Sequence, residues 1–579
     1  MVATCDATFL RLCLTRPSDG QNFTIFGFPQ FVEALALLLV VYNIFEPRAK
    51  FRAQTTPIPL LPITFASTVS IGIGTLLTDV WIDQRWPALP WGLSRVEIEG
   101  SFGTWFLVLV CTWSWFAFLQ PPVFSRFNSR RFGRALYRVI VRGSAAELPS
   151  VISELVRSAT SLIQTVVGPP VVPGRRVPQP SEAATIAGEI LLALGHRKVC
   201  RYVVSDTPEL AIVLMESAAE ALERPSFRSR FAPLGHFARN VTVEALLNPD
   251  SPLYHESSGF DSGLMGYIKP FSGAMYGHYR LVEQLAADFH SPLDVECDFF
   301  EVCTPQQFDK YCKIVLITCR AYIDLGVSAS SPALHRAFGN VKRGLDRLYT
   351  VNGSELTPSR NQEVEKLQSV VHFCTELIDH IEKKGDYPLG RVRRQSPNLP
   401  PGHGDERDGL IDMIVSLLSS TIEAASHVYQ TADNAWSVQY LSVWTSVYGV
   451  HNSPVWRMVR RKLSRHLYEH VKQLERFPNF QAARIFGFCL HVLGIHLGGS
   501  RHGFDRADYA LRQAVLLWAR RNYMTLRAAN LRVAEACLAG NITFDPRRRR
   551  LVRTYNQGLN DKPPQNFLPL DRARKLKPS

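Results

Sequence analysis

Hydrophobic and polar positions are patterned in two different ways along the 579 residues, and the change falls near residue 125. Before it stand three apolar runs. Residues 25–45 carry a single charge, Glu33; residues 58–80 carry none before Asp79; residues 102–119 carry none. A helical rise of 1.5 Å per residue takes such runs across roughly 27–35 Å, the thickness of a bilayer's hydrocarbon core. A backbone in lipid must satisfy its own hydrogen bonds, so each run is predicted to be a transmembrane helix. Trp81, Trp86 and Trp91 follow the second run, where amphipathic rings favour the interface. Gly72-Ile73-Gly74 falls inside that run and reads as a helix-packing notch, not a phosphate loop.

Past residue 125 the apolar residues recur at helical spacing between polar ones. The fold class expected is therefore a membrane α-helical region of three N-terminal spans, followed by a mostly all-α cytosolic region built as a solenoid or an irregular bundle. Residues 1–24 form an extracytoplasmic N-terminus, 25–125 the three-span domain and 126–167 a basic juxtamembrane helical segment. A Pro-rich linker at 168–182 leads to a mixed, mainly helical domain at 183–384, in which Tyr202–Val204 and Asp298–Val302 read as short strands and 225–300 as irregular. A second linker at 385–408 precedes a helical domain at 409–556 and a basic tail at 557–579.

Charge sharpens this division. Residues 1–125 contain seven Lys/Arg and eight Asp/Glu, whereas the remainder contains 58 and 43. The flanks of the runs are sorted too. Arg48, Lys50 and Arg52 follow the first run; the segment after the second is net acidic; Arg126, Arg130, Arg131, Arg134, Arg138 and Arg142 follow the third with no acid among them. Excess Lys/Arg marks the cytoplasmic side, which puts the N-terminus outside and the C-terminus in the cytoplasm, with a cell inner membrane as the setting. The six arginines are expected to lie on anionic lipid headgroups. The bilayer is thus the first expected partner and a protein partner or a second copy the next. Nucleic acid is disfavoured because the basic stretch at 547–550 lacks interleaved stacking aromatics.

Three constellations carry possible chemistry. His466-Leu467-Tyr468-Glu469-His470 has the H-x-x-E-H spacing that sets two zinc-binding histidines one helical turn apart, with Glu469 as base and Glu535 as a third ligand. The strongly basic residues around it oppose a divalent cation, so no cofactor is expected, zinc being the one to test. Cys297, Cys303, Cys312 and Cys319 lack the close pairing of a zinc knuckle, and Cys312 and Cys319, seven apart on an apolar helix, read as small core hydrophobes. Glu33 is an ionisable group inside a span, where charge is expensive and often functional. No nucleotide-binding loop, kinase signature or nucleophile elbow is present. The function expected is a membrane-tethered cytosolic platform for interaction or signalling, with no enzymatic activity expected. The alternatives are a membrane-bound metal-dependent hydrolase using the H-x-x-E-H segment and an oligomeric channel with Glu33 in its pore.

Overall fold

The computed structural model describes residues 7–9, 12–14, 26–44, 47–84, 95–144, 146–167, 180–223, 232–256, 270–287, 290–327, 330–354, 360–385, 409–449, 453–496, 506–555 and 564–573. The chain is mostly helical and divides into two compact units, Met1–Phe237 and Ala238–Ser579.

In the first unit a short antiparallel pair, β1 (Ala7–Phe9) and β2 (Leu12–Leu14), precedes α1 (Phe28–Ile44), α2 (Pro47–Thr55), α3 (Leu60–Asp83) and α4 (Arg95–Ser114). A π-helical turn at Trp115–Leu119 ends α4. Helices α1, α3 and α4 correspond to the three predicted runs and meet around Phe31, Ile71 and Phe106. Glycine makes that meeting possible. A Cβ on Gly72 would lie 2.7 Å from the Phe31 ring and one on Gly74 2.5 Å from the Phe102 ring, so each missing side chain admits an aromatic from a neighbouring helix. Thr75 and Thr78 donate their hydroxyls to the Gly72 and Gly74 carbonyls, which satisfies the buried polar groups of the same turn.

The basic segment after the first run is itself a helix, α2, with Phe51 buried against Phe132. Arg52 fastens it. The guanidinium donates to the Ala117 carbonyl at 2.8 Å and pairs with Glu154 at 2.5 Å. It thereby joins α2, the end of α4 and α6. The remainder of the unit is α5 (Ser129–Arg142), α6 (Glu147–Val167), α7 (Glu182–Leu194), α8 (Arg197–Asp206) and α9 (Pro208–Leu222). The strand expected at Tyr202–Val204 is corrected to helix. Val199, Cys200, Val203 and Val204 bury one helical stripe, and His196 caps the first turn through its side chain. The bulk of the Pro-rich linker lies outside the described residues; its last residue, Glu182, opens α7 behind the cap Ser181.

Helix α10 (Ala232–Leu247) carries the chain from the first unit into the second, which continues with α11 (Pro252–His255), α12 (Phe271–Tyr276), α13 (Tyr279–Ala287) and α14 (Cys297–Val302). Among its described residues the stretch expected to be irregular is thus largely helical, and the second expected strand is the helix α14. Pro, Gly and aromatics there mark short helices joined by caps, not the loss of helix. There follow α15 (Pro305–Asp324), opened by a Thr304–Gln307 capping box, α16 (Pro332–Arg343) and α17 (Gln362–Lys384). The linker at 386–408 lies outside the described residues. After it come α18 (Gly409–Ser426), α19 (Ala432–Ala435), a long π-helical stretch at Trp436–Trp444, α20 (Thr445–Tyr448), α21 (Pro454–Gln473), α22 (Phe480–Leu493), α23 (Arg506–Ala529) and α24 (Leu531–Ala536). The chain then turns to sheet, which the helical pattern did not foretell. Strands β3 (Ile542–Asp545), β4 (Arg550–Thr554) and β5 (Gln565–Pro569) form an antiparallel meander, the last supplied by the expected basic tail. Leu551 and Leu568 pair in register and are fully buried, which holds that strand in place.

Candidate functional site

Among the described residues three stretches are long and apolar enough to cross a membrane: Leu60–Trp81, Val96–Leu119 and Gly409–Ser426. Their surroundings differ. Only 28% of the most apolar stretch of the first and 11% of that of the second is buried, against 61% in the third. Phe65, Ile73 and Leu77 of α3, and Leu107 and Leu119 beyond it, point outward with relative exposures of 41% or more. Helix α18 instead packs its apolar stripe into the second unit. The first predicted run forms the 17-residue α1, whose rise of about 25 Å is short for a span, yet it too carries exposed Leu37, Leu39 and Val40.

One end of this bundle is finished with carboxylates. The first amides of α1 have no partner within the helix. Asp79 of α3 accepts from the Phe28 amide at 3.0 Å, and buried Glu99 of α4 accepts from the Phe26 amide at 3.3 Å. Sequence reasoning gave Asp79 no role because it sits at the end of its run; the cap comes from another helix and leaves no local signature. Glu33 is exposed on the outside of α1, so it does not line a path through the three helices.

Helix α5 carries the predicted arginine face. Phe132, Ala135 and Leu136 turn inward, while Arg126, Arg130, Arg134, Arg138 and Arg142 are exposed around Phe127, Tyr137 and Val141, all three also exposed. Arg126 covers the Phe127 ring at 4.7 Å, and Arg131 donates to the Pro57 carbonyl at 2.8 Å. Arg130 forms a two-pronged pair with Glu182 of α7; that hydrogen bonding raises the arginine's pKa and lowers the carboxylate's. Both partners are fully solvated, so the pair orients α7 more than it stabilises it. Cations interleaved with aromatic and aliphatic side chains on α5 and the turn before it suit the headgroup boundary of a bilayer.

The H-x-x-E-H segment lies on α21 as predicted, and His466 and His470 meet edge to face at 5.1 Å. The proposed ligand set does not assemble. His466 Nδ1 lies 2.8 Å from the Ser419 hydroxyl, Glu469 turns to Arg465 at 3.1 Å, and Glu535 sits on α24 beside Arg527 at 3.8 Å. Burial lowers the pKa of His470, with the neighbouring His466 adding to the effect. Among the described residues no three His, Cys, Asp or Glu side chains gather around a common point that could hold a metal. Helical spacing placed two ligands correctly but could not place the third, which depends on tertiary contacts. Cys303, Cys312, Cys319 and Cys374 are buried with burial raising their thiol pKa values, as suits small core hydrophobes; Cys297 is exposed.

Two polar residues missed in the sequence organise the second unit. Arg460, one of the basic residues around the H-x-x-E-H segment, is buried and donates to the Val447 and Gly449 carbonyls at the end of α20. His491 is buried and bonds Gln439 of the π-helical stretch at 2.9 Å, while the Gln439 amide donates to the Val428 carbonyl at 2.8 Å. Burial, with Arg553 nearby, pushes the His491 pKa down to about 4. These are structural networks. No known family model, no curated protein and no solved structure matches this chain.

Proposed function

We propose that the chain is a multi-pass membrane protein in which α1, α3 and α4 span a cell inner membrane, the N-terminus lies outside, and the rest forms a cytoplasmic platform for interaction or signalling. The observation carrying this reading is the outward display of large apolar side chains on α3 and α4, next in the chain to the arginine face of α5. A surface of that kind in water is an aggregation liability; in hydrocarbon it is the ordinary exterior of a span. The platform role is supported by the helix-rich second unit, whose turn between α21 and α22 exposes Phe477 and Phe480 beside Arg476.

Topology is the test. The Asn22-Phe23-Thr24 sequon reports on the N-terminal side when the chain is made in a glycosylating host. The reading expects a glycan removed by Asn22→Gln, resistance of the protein to alkaline extraction, and digestion of the part beyond α4 by protease added to the cytoplasmic side. Release by alkali, or glycosylation of a sequon engineered at 386–408, would overturn it.

A further inference from the structure

We propose that the groove between α5 and α7 binds a phosphodiester that also carries a primary ammonium, the headgroup chemistry of phosphatidylethanolamine. The proposal rests on the membrane reading of the first unit and deepens it by naming the lipid. The groove has a volume of about 470 Å³ and opens beside the exposed arginine face. Its walls bring together two cations and two anions: Arg130 and Arg134 from α5, Glu182 and Glu189 from α7. A site for a simple anion would carry net positive charge; this one is balanced, which matches a zwitterion.

The four groups are not equivalent. Arg130 and Glu182 are committed to each other, and their paired side chains close one end. Arg134 and Glu189 have no hydrogen-bond or ion-pair partner among the described residues and both are exposed. Arg134 thus offers guanidinium donors to a phosphate, and Glu189 offers acceptors to an ammonium. A trimethylated ammonium has no N–H to donate, so a primary ammonium gains the contact that choline cannot make. The floor is apolar, and the helices approach closely at Gly133, where a Cβ would lie 3.0 Å from the Ile186 side chain. That close approach keeps both helices' charged residues on one groove.

Full-length protein, purified in detergent and stripped of lipid, is titrated with dioleoyl phosphatidylethanolamine, phosphatidylcholine or phosphatidylglycerol, and retained lipid is counted by native mass spectrometry. The expected result is one retained phosphatidylethanolamine, preferred about fivefold over each of the others, the scale of one partly exposed ionic contact. Glu189→Gln is expected to remove the preference while phosphatidylglycerol retention persists, and Arg134→Gln to weaken all three. Lys198→Gln, on α8 and outside the groove, should leave the preference intact. Equal retention of the three lipids, stronger retention of phosphatidylglycerol, or a preference unchanged in Glu189→Gln would overturn the proposal. Soluble glycerophosphoethanolamine separates the two readings. If the protein is released by alkali yet binds this probe in a Glu189-dependent way, the membrane reading fails and the groove chemistry stands. If it resists alkali and shows no headgroup preference, the reverse holds.

Discussion

Helices α3 and α18 are both long and apolar enough to cross a membrane, yet they use their apolar residues in opposite directions. In α18, Leu410, Ile414, Leu418, Ile422 and Ala425 form a stripe turned into the second unit against α21 and α22, while Asp412 and Ser416 face out. In α3, Phe65, Val69, Ile73, Leu77 and Val80 form an equally regular stripe turned outward, and the inward contact is made by Ile71 together with Gly72, Gly74 and two threonines. Hydropathy says only that a surface avoids water. Where that surface goes is decided by which residues are small. A helix that buries its large side chains in protein is a core helix; one that buries its small ones keeps the large ones for lipid.

The sharpest way to break this comparison is to put a charge on each stripe. Ile414→Arg places an unpaired cation in the second unit's core, a change of several kcal/mol that is expected to abolish cooperative unfolding in detergent. Ile73→Arg places the same charge on a residue 54% exposed, where detergent headgroups and water accommodate it. It should purify folded, with its penalty of about 3 kcal/mol appearing only as a reduced membrane-integrated fraction during synthesis. Thermal melts paired with membrane fractionation decide the matter. Equal damage to both variants in detergent would mean that α3 is a core helix as well.

The second unit also buries a histidine. His491 is neutral in the fold, with its pKa pushed down to about 4, and takes its ordinary value near 6.5 when the chain unfolds. Above pH 6.5 neither state binds the proton and the histidine has no effect. Between 6.5 and 4 the unfolded chain binds it and the fold does not, so stability falls as pH falls, by about 3 kcal/mol at the bottom of that window. Denaturant melts at pH 7 and pH 4.5 should show this loss. His491→Asn keeps a donor for Gln439 and should remove that share of the pH dependence. A variant with the same slope as the parent would assign the acid sensitivity to other groups.

The comparison also explains what could be read from the chain. The three apolar runs, the arginine face of α5 and the successive helices after residue 408 are legible because each is a local period or a local charge count. Helix α14 was mistaken for strand because six residues with two adjacent phenylalanines are too few to establish a period. The β3–β5 meander was missed because its strands are only four or five residues long, and its core pairing, Leu551 with Leu568, joins residues on separate strands. The site residues divide the same way. His466 and His470 share a turn and could be placed; the carboxylates of Asp79 and Glu99, and the groove joining Arg134 to Glu189, need two helices whose approach no local pattern encodes.

The smallest test sharpens the claim that small residues decide direction. Gly74→Ala adds one methyl where 2.5 Å separates it from the Phe102 ring, so the half-buried ring must shift to make room. Overpacking of this kind costs about 1–3 kcal/mol, against which the better helix propensity of alanine returns about 1. Gly100 on α4 is the matched control, since a Cβ there meets nothing within 4 Å. Gly100→Ala should therefore be neutral or slightly stabilising, and Gly74→Ala should lower the melting temperature of the detergent-solubilised chain. The sign of the difference is what matters. If both alanines stabilise, Phe102 does not occupy the notch, α3 and α4 are not held by their glycines, and the outward stripe of α3 loses the inward contact that gives it direction.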